Sequence, residues 1–160
     1  MPTHAHTRWL ATVVVVALLA LGLPVPAASA AVVCDNPVAC ENQLPGTPQS
    51  VWDDGTDDPT ILGYATQMSV NVGGAISFKV KTDASLYTID IYRLGYYQGN
   101  GARKVATIPV GVPLPQSQPP CITDAATDLY DCGNWAVSAS WQVPTTAVGG
   151  VYIADLVRPD

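Results

Sequence analysis

Histidine is missing beyond His6, glutamate occurs only as Glu41, and phenylalanine only as Phe78. Charged residues make up 12% of the chain, with 7 bases against 13 acids. Each shortage closes off a class of chemistry. Without imidazole after position 6, no Ser-His-Asp or Cys-His arrangement can be assembled. With a formal net charge of −6, nucleic acid and anionic lipid are repelled, so neither is expected as a partner. The longest apolar run, Trp9–Leu23, falls short of the roughly 20 residues that a membrane-spanning helix requires.

That run reads instead as the core of an export signal. Arg8 supplies the cation ahead of it, and Val13–Val16 and Leu18–Leu21 dominate it. Pro24 and Pro26 then break any helix before the small residues Ala28-Ser29-Ala30. Cleavage after Ala30 is predicted, which makes residues 1–30 a signal peptide and 31–160 one domain, with no membrane attachment afterwards. Val33 before Cys34 disfavours a lipoprotein site. Cleavage removes His4, His6 and Arg8, so six bases face thirteen acids and the net charge becomes −7. The expected location is extracellular.

Export gives the four cysteines a meaning. An oxidising compartment and an even count favour two disulfides, with three pairings possible. Cys34–Cys40 with Cys121–Cys132 is expected, because each pair is close in sequence and brackets a turn-rich segment. Each closes a short loop and stabilises by roughly 2–3 kcal/mol. The spacing C-x5-C and C-x10-C without histidine is poor for zinc. No metal and no cofactor are expected.

The rest reads as strands and turns with no convincing helix. Met68, Val70 and Val72 alternate with polar residues up to Gly73-Gly74, and Ile76, Phe78 and Val80 alternate after it. This predicts a hairpin. Tyr87, Ile89 and Ile91 mark the next strand, and Lys104–Ile108 a shorter one. Proline from Pro109 to Pro120 excludes a sheet interior. Trp135, Val137, Ala139, Trp141 and Val143 share one predicted face, core-directed, although a carbohydrate-binding aromatic strip has the same pattern. Val151–Val157 is the last strand. Six or so short strands of this kind predict an all-β, immunoglobulin-like β-sandwich, with a jelly roll as the alternative. Because the sequence stops straight after a strand, the sandwich is expected to lack its last strand, as a truncated or fragmentary gene product would.

One segment stands out as a candidate interaction loop: Tyr92-Arg93-Leu94-Gly95-Tyr96-Tyr97, followed by Gly99, Gly101, Ala102 and Arg103. Its glycines allow sharp turns, but the spacing is not a dinucleotide fingerprint and no helix follows. Tyr92, Tyr96 and Tyr97 offer rings to a sugar or a neighbouring domain, and Arg93 and Arg103 offer fixed hydrogen-bond forks. The alternative is a structural hairpin covering the sandwich end. Asp53-Asp54-Gly55-Thr56-Asp57-Asp58 invites calcium, but it lacks the EF-hand order and the distal acid, so a solvated loop is the plainer reading. Bridged cysteines leave no thiol nucleophile, and nothing places two aspartates on facing strands for glycosidase work. No catalytic residue is identified, and the chain is not expected to be an enzyme.

The same motifs carry a family resemblance. Asn36-Pro37 and Glu41-Asn42 precede Leu44-Pro45-Gly46, then come Ile61–Ala65, the tyrosine–glycine loop, Asp131-Cys132-Gly133-Asn134-Trp135 and Gly150-Val151-Tyr152. This resembles the N-terminal β-sandwich region of secreted N,N-dimethylformamidase β-subunit-like proteins, over nearly the whole of residues 31–160. The resemblance implies a sandwich that precedes a larger domain holding any amidohydrolase-like or metal chemistry. No catalytic residue carries over, and Tyr96-Tyr97 are not metal ligands by this analogy. The implied role is a secreted accessory module docking on a catalytic-like domain or protein partner. Alternatives are a carbohydrate-binding module, or a fragment of an amidohydrolase whose catalytic domain is absent.

Overall fold

The computed structural model describes residues 34–53, 55 and 58–159. The expected signal peptide and its cleavage site, together with Asp54, Thr56, Asp57 and Asp160, lie outside the described residues.

The first elements are helical, against expectation. Helix α1 spans Pro37–Asn42 and α2 spans Gln49–Trp52. Asn36 caps α1, its Oδ1 accepting from Val38 N at 2.9 Å and Ala39 N at 3.3 Å. Pro37 fits the first turn, where no N–H is needed. Eight strands follow: β1 Ile61–Ala65, β2 Ala75–Thr82, β3 Thr88–Leu94, β4 Ala102–Pro109, β5 Ile122–Asp124, β6 Leu129–Asp131, β7 Ala139–Gln142 and β8 Tyr152–Val157. They form two three-stranded antiparallel sheets, ordered β1-β2-β7 and β4-β3-β8, plus the hairpin β5-β6. Across the sandwich β1 approaches β8 and β7 approaches β4. The fold is an all-β sandwich, as the alternating pattern predicts.

The core sits between β2 and β3. Phe78 and Val80 face Ile89 and Ile91, with Ile61, Tyr87 and Ile108 completing a buried cluster. Burying side chains of this size stabilises by roughly 1.5–3 kcal/mol each. β3 is central, paired to β4 and β8, and is buried on both faces. On its second face Asp90 is held by Lys104 Nζ and Thr107 Oγ1, each at 2.6 Å. A register shift after Ile91 leaves Val105 unpaired in β4, a bulge that bends the strand end.

Two strand expectations are corrected. Residues 68–72 form no strand, because Ala65 and Thr66 take one edge of β2 while β7 takes the other. The predicted 68–72/76–80 hairpin is therefore replaced by β1 pairing with β2. The strand predicted from Trp135 to Val143 starts only at Ala139. Ser138 turns inward and its Oγ accepts from Val80 N at 2.8 Å, which breaks the alternation and leaves Val137 exposed. Within the proline-rich connection, Gln116 bridges to Thr82. Both expected cysteine pairs are disulfides, Cys34–Cys40 and Cys121–Cys132, with Cα–Cα distances of 5.6 and 4.4 Å.

Candidate functional site

Parity along β3 places Arg93 in the same row as Ile89 and Ile91, so the core row ends in a guanidinium. Arg93 is 3% exposed. Its Nη1 donates to Tyr97 Oη at 3.0 Å, with longer contacts to Asn42 Oδ1 and Leu94 O, both at 3.4 Å. Nη2 donates to Gly149 O at 2.8 Å and Nε to Val148 O at 3.3 Å. The Tyr97 hydroxyl in turn donates a hydrogen bond to Glu41 Oε1 at 3.0 Å, and Arg103 Nη1 donates to the same oxygen at 2.9 Å. The cation is thus one hydroxyl removed from its nearest carboxylate. Each of its three nitrogens has an acceptor within the chain.

The glycine loop makes this geometry possible. Tyr97 and Gln98 have φ of 41° and 58°, a left-handed backbone costing roughly 1–2 kcal/mol per residue, and the Tyr97 ring is fully buried. Asn42 Oδ1 accepts from Tyr96 N at 3.2 Å, and Gln98 Nε2 donates to Gln43 O at 3.0 Å, clamping the loop onto α1. Gly95 admits no side chain: a methyl there would sit 3.0 Å from Arg93 Nη1 and 3.0 Å from Tyr97 Cε2, and closer still to Asn42 Oδ1. Gly101, at φ 80°, lies under the Trp52 ring, whose Nε1 donates to Asn100 O at 3.1 Å. Burial pushes the Tyr97 phenol above its usual range, opposed by the Arg93 hydrogen bond and reinforced by Glu41. Burial does the same to Tyr92, reinforced by Asp90, and to Tyr152, opposed by Arg93.

These positions narrow the predicted interaction loop. Tyr92, Arg93 and Tyr97 are buried, and Arg93 and Tyr97 are also bonded internally, so none offers its side chain to a ligand. Tyr96 is exposed, and Arg103 is partly so while paired to Glu41. The loop locks the sandwich end. In the acidic loop, Asp58 Oδ1 accepts from Thr60 N at 2.8 Å, and these Thr60 contacts hold its carboxyl below the usual range. Gln49 Nε2 donates to Asp53 Oδ2 at 2.9 Å. Among the described residues no group of three or more His, Cys, Asp or Glu is placed to hold a metal ion. None of their helices is long and apolar enough to cross a membrane.

Two surfaces escaped the sequence reading. One is an apolar cleft of about 360 Å³ beside β8, walled by Met68, Val70, Val72, Trp141, Val143 and Tyr152. Trp141 meets Tyr152 with ring centroids 5.7 Å apart and planes tilted by 51°, and it packs against the core. The other is a shallow groove on the outer face of β1 and β2, where Tyr64 and Trp135 lie 6.0 Å apart and Tyr130 stands across from them. Trp135, assigned from the pattern to the core face, is only partly buried here. Tyr130 on the short β6, with no alternation around it, gave no signal.

Comparison with protein families finds one match over residues 88–160, to the model described as N,N-dimethylformamidase β-subunit-like, C-terminal. The match begins at the first residue of β3 and takes in the tyrosine–glycine loop and the Asp131–Trp135 motif. The family resemblance read from those motifs is shown over this stretch. The matching model describes the C-terminal region of the family, whereas the sequence reading placed the resemblance in an N-terminal region. Neither the curated proteins nor the solved structures give a match.

Proposed function

From a chain whose residues 88–160 match that family, we propose an exported, non-catalytic β-sandwich module of an N,N-dimethylformamidase β-subunit-like protein. It works by docking on a neighbouring domain or protein. Two disulfides and the signal-like residues 1–30 support export. The observation that carries docking is the cleft beside β8. Met68 there stands fully in solvent and Val72 and Val151 are more than half exposed, an apolar arrangement that costs free energy unless covered. β8 is the outer strand of its sheet among the described residues, so an extended apolar segment can add to it and fill the cleft.

Two experiments test this reading. Purified chain incubated with N,N-dimethylformamide and other small amides, with and without divalent metal, should release no amine. Turnover above the buffer rate ends the non-catalytic reading. In sedimentation velocity, the wild-type chain should associate as concentration rises, and Met68→Asp with Val72→Asp should return it to monomer without lowering its melting temperature. A doubly substituted chain that associates as the wild type does removes the cleft as the docking surface.

A further inference from the structure

The groove between β1 and the β5–β6 hairpin is rigid, aromatic and locally cationic in an acidic chain. Its rigidity comes from long-range ties. The Cys121–Cys132 bridge closes the hairpin. Tyr64 Oη donates to Cys132 O at 2.6 Å, Trp135 Nε1 to Pro119 O at 3.0 Å, and Lys79 Nζ to Gly133 O at 2.7 Å. The polar handles of Tyr64 and Trp135 are therefore consumed internally, and what remains to a ligand is ring face. Tyr130, 73% exposed, adds a third ring at the rim.

Charge in the groove runs against the rest of the molecule. No aspartate or glutamate lines it, and Lys81 does. Lys81 has neither a hydrogen-bond nor an ion-pair partner among the described residues, and it pairs in register with Leu62 beside Tyr64. Of the bases on the outer face of β2, Lys79 is spent on Gly133 and Lys81 is left over.

The geometry points to a binding site for an acidic sugar, a pyranose ring bearing a carboxylate. The polarised C–H face of the ring rests on Trp135 and Tyr130, whose π-faces carry the negative side of the quadrupole. The carboxylate pairs with Lys81. A proline-rich peptide, the other usual occupant of an aromatic groove, is disfavoured. Such peptides dock extended in aromatic grooves, where free ring N–H and O–H groups bind their carbonyls, and here Trp135 Nε1 and Tyr64 Oη are occupied. This site is separate from the cleft beside β8 and does not depend on the docking proposal.

The test is calorimetric titration of the disulfide-bonded chain with oligogalacturonate, its methyl-esterified form, a neutral cello-oligosaccharide and a polyproline peptide. Oligogalacturonate should bind, and more weakly as salt rises. Tyr130→Ala, at an exposed position that leaves the fold alone, should weaken it by about tenfold or more. Lys81→Ala should weaken oligogalacturonate similarly while leaving the weaker binding of the ester unchanged. Absence of binding to oligogalacturonate overturns the proposal. So does equal binding of acid and ester, binding that survives Tyr130→Ala, or preference for the polyproline peptide.

Discussion

Replacing Tyr97 by phenylalanine removes one oxygen and leaves the ring in place, so its effect reads the lock at the sandwich end directly. That oxygen is the nearest acceptor for Arg93 Nη1, at 3.0 Å, because Asn42 Oδ1 and Leu94 O lie at 3.4 Å. It also donates to Glu41 Oε1. Glu41 keeps Arg103 as a partner in the variant, but the Arg93 donor turns inward toward nothing closer than a long contact. Orphaning a buried donor on a charged group costs about 2 kcal/mol. For a domain of this size that lowers the melting temperature by roughly 5–8 °C. Urea denaturation should show a lower midpoint with an unchanged slope, the sign of altered stability and not of an altered unfolded state. Tyr96→Phe, at a ring 69% exposed, is the control and should change stability by under about 0.5 kcal/mol. If the two variants melt alike, the hydroxyl is not a buried link and the account of the glycine loop as a lock fails.

The same geometry gives three further expectations. Burial raises the phenol pKa of Tyr87, Tyr92, Tyr97 and Tyr152 above 10.0, and the Asp90 hydrogen bond raises that of Lys104 above 10.5. In each case the folded chain holds its proton longer than the unfolded one. This stability is therefore full below pH 10 and is lost as pH rises through the raised folded values, visible as a urea midpoint that falls once the pH is taken above 10. Gly95→Ala forces a methyl against Arg93 and Tyr97 and should cost about 1–3 kcal/mol by thermal melting, whereas Gly111→Ala, with nothing near the added methyl, should be close to neutral. Lys104→Met leaves the Asp90 carboxylate with Thr107 alone, and because the lysine is 42% exposed the loss should be about 1–2 kcal/mol, read from urea curves at pH 7.

How far the sequence disclosed this arrangement depended on whether burial was one-sided. β2 and β4 are edge-facing or half-buried and showed their period of two. β3 is enclosed on both faces, so Asp90 and Arg93 looked like solvent positions although each is buried and bonded. The alternation at Met68–Val72 was genuine in composition but had no strand edge left to pair with. Trp135 misled in the opposite direction, since Ser138 reverses the parity and turns the ring outward. The Asn36-Pro37 cap was a local signal for α1 that the strand-and-turn reading passed over. The groove was not legible, because Tyr64 and Lys81 meet only through the pairing of β1 with β2, and Tyr130 and Trp135 join them only through the disulfide-bound hairpin.

The wiring of β2 bears on how the molecule comes into being. Its neighbour β7 lies far downstream, with Ser77 and Ser140 bonded at 2.8 Å across 63 residues, while β3 and β4 are joined by a short loop. A chain emerging amino end first can zip β1 to β2 and β3 to β4 early, but the first sheet must wait for nearly the whole polypeptide before β7 completes it. During that interval the Ala75–Phe78 edge of β2 has no partner strand, and a strand from a second chain can pair there in place of β7.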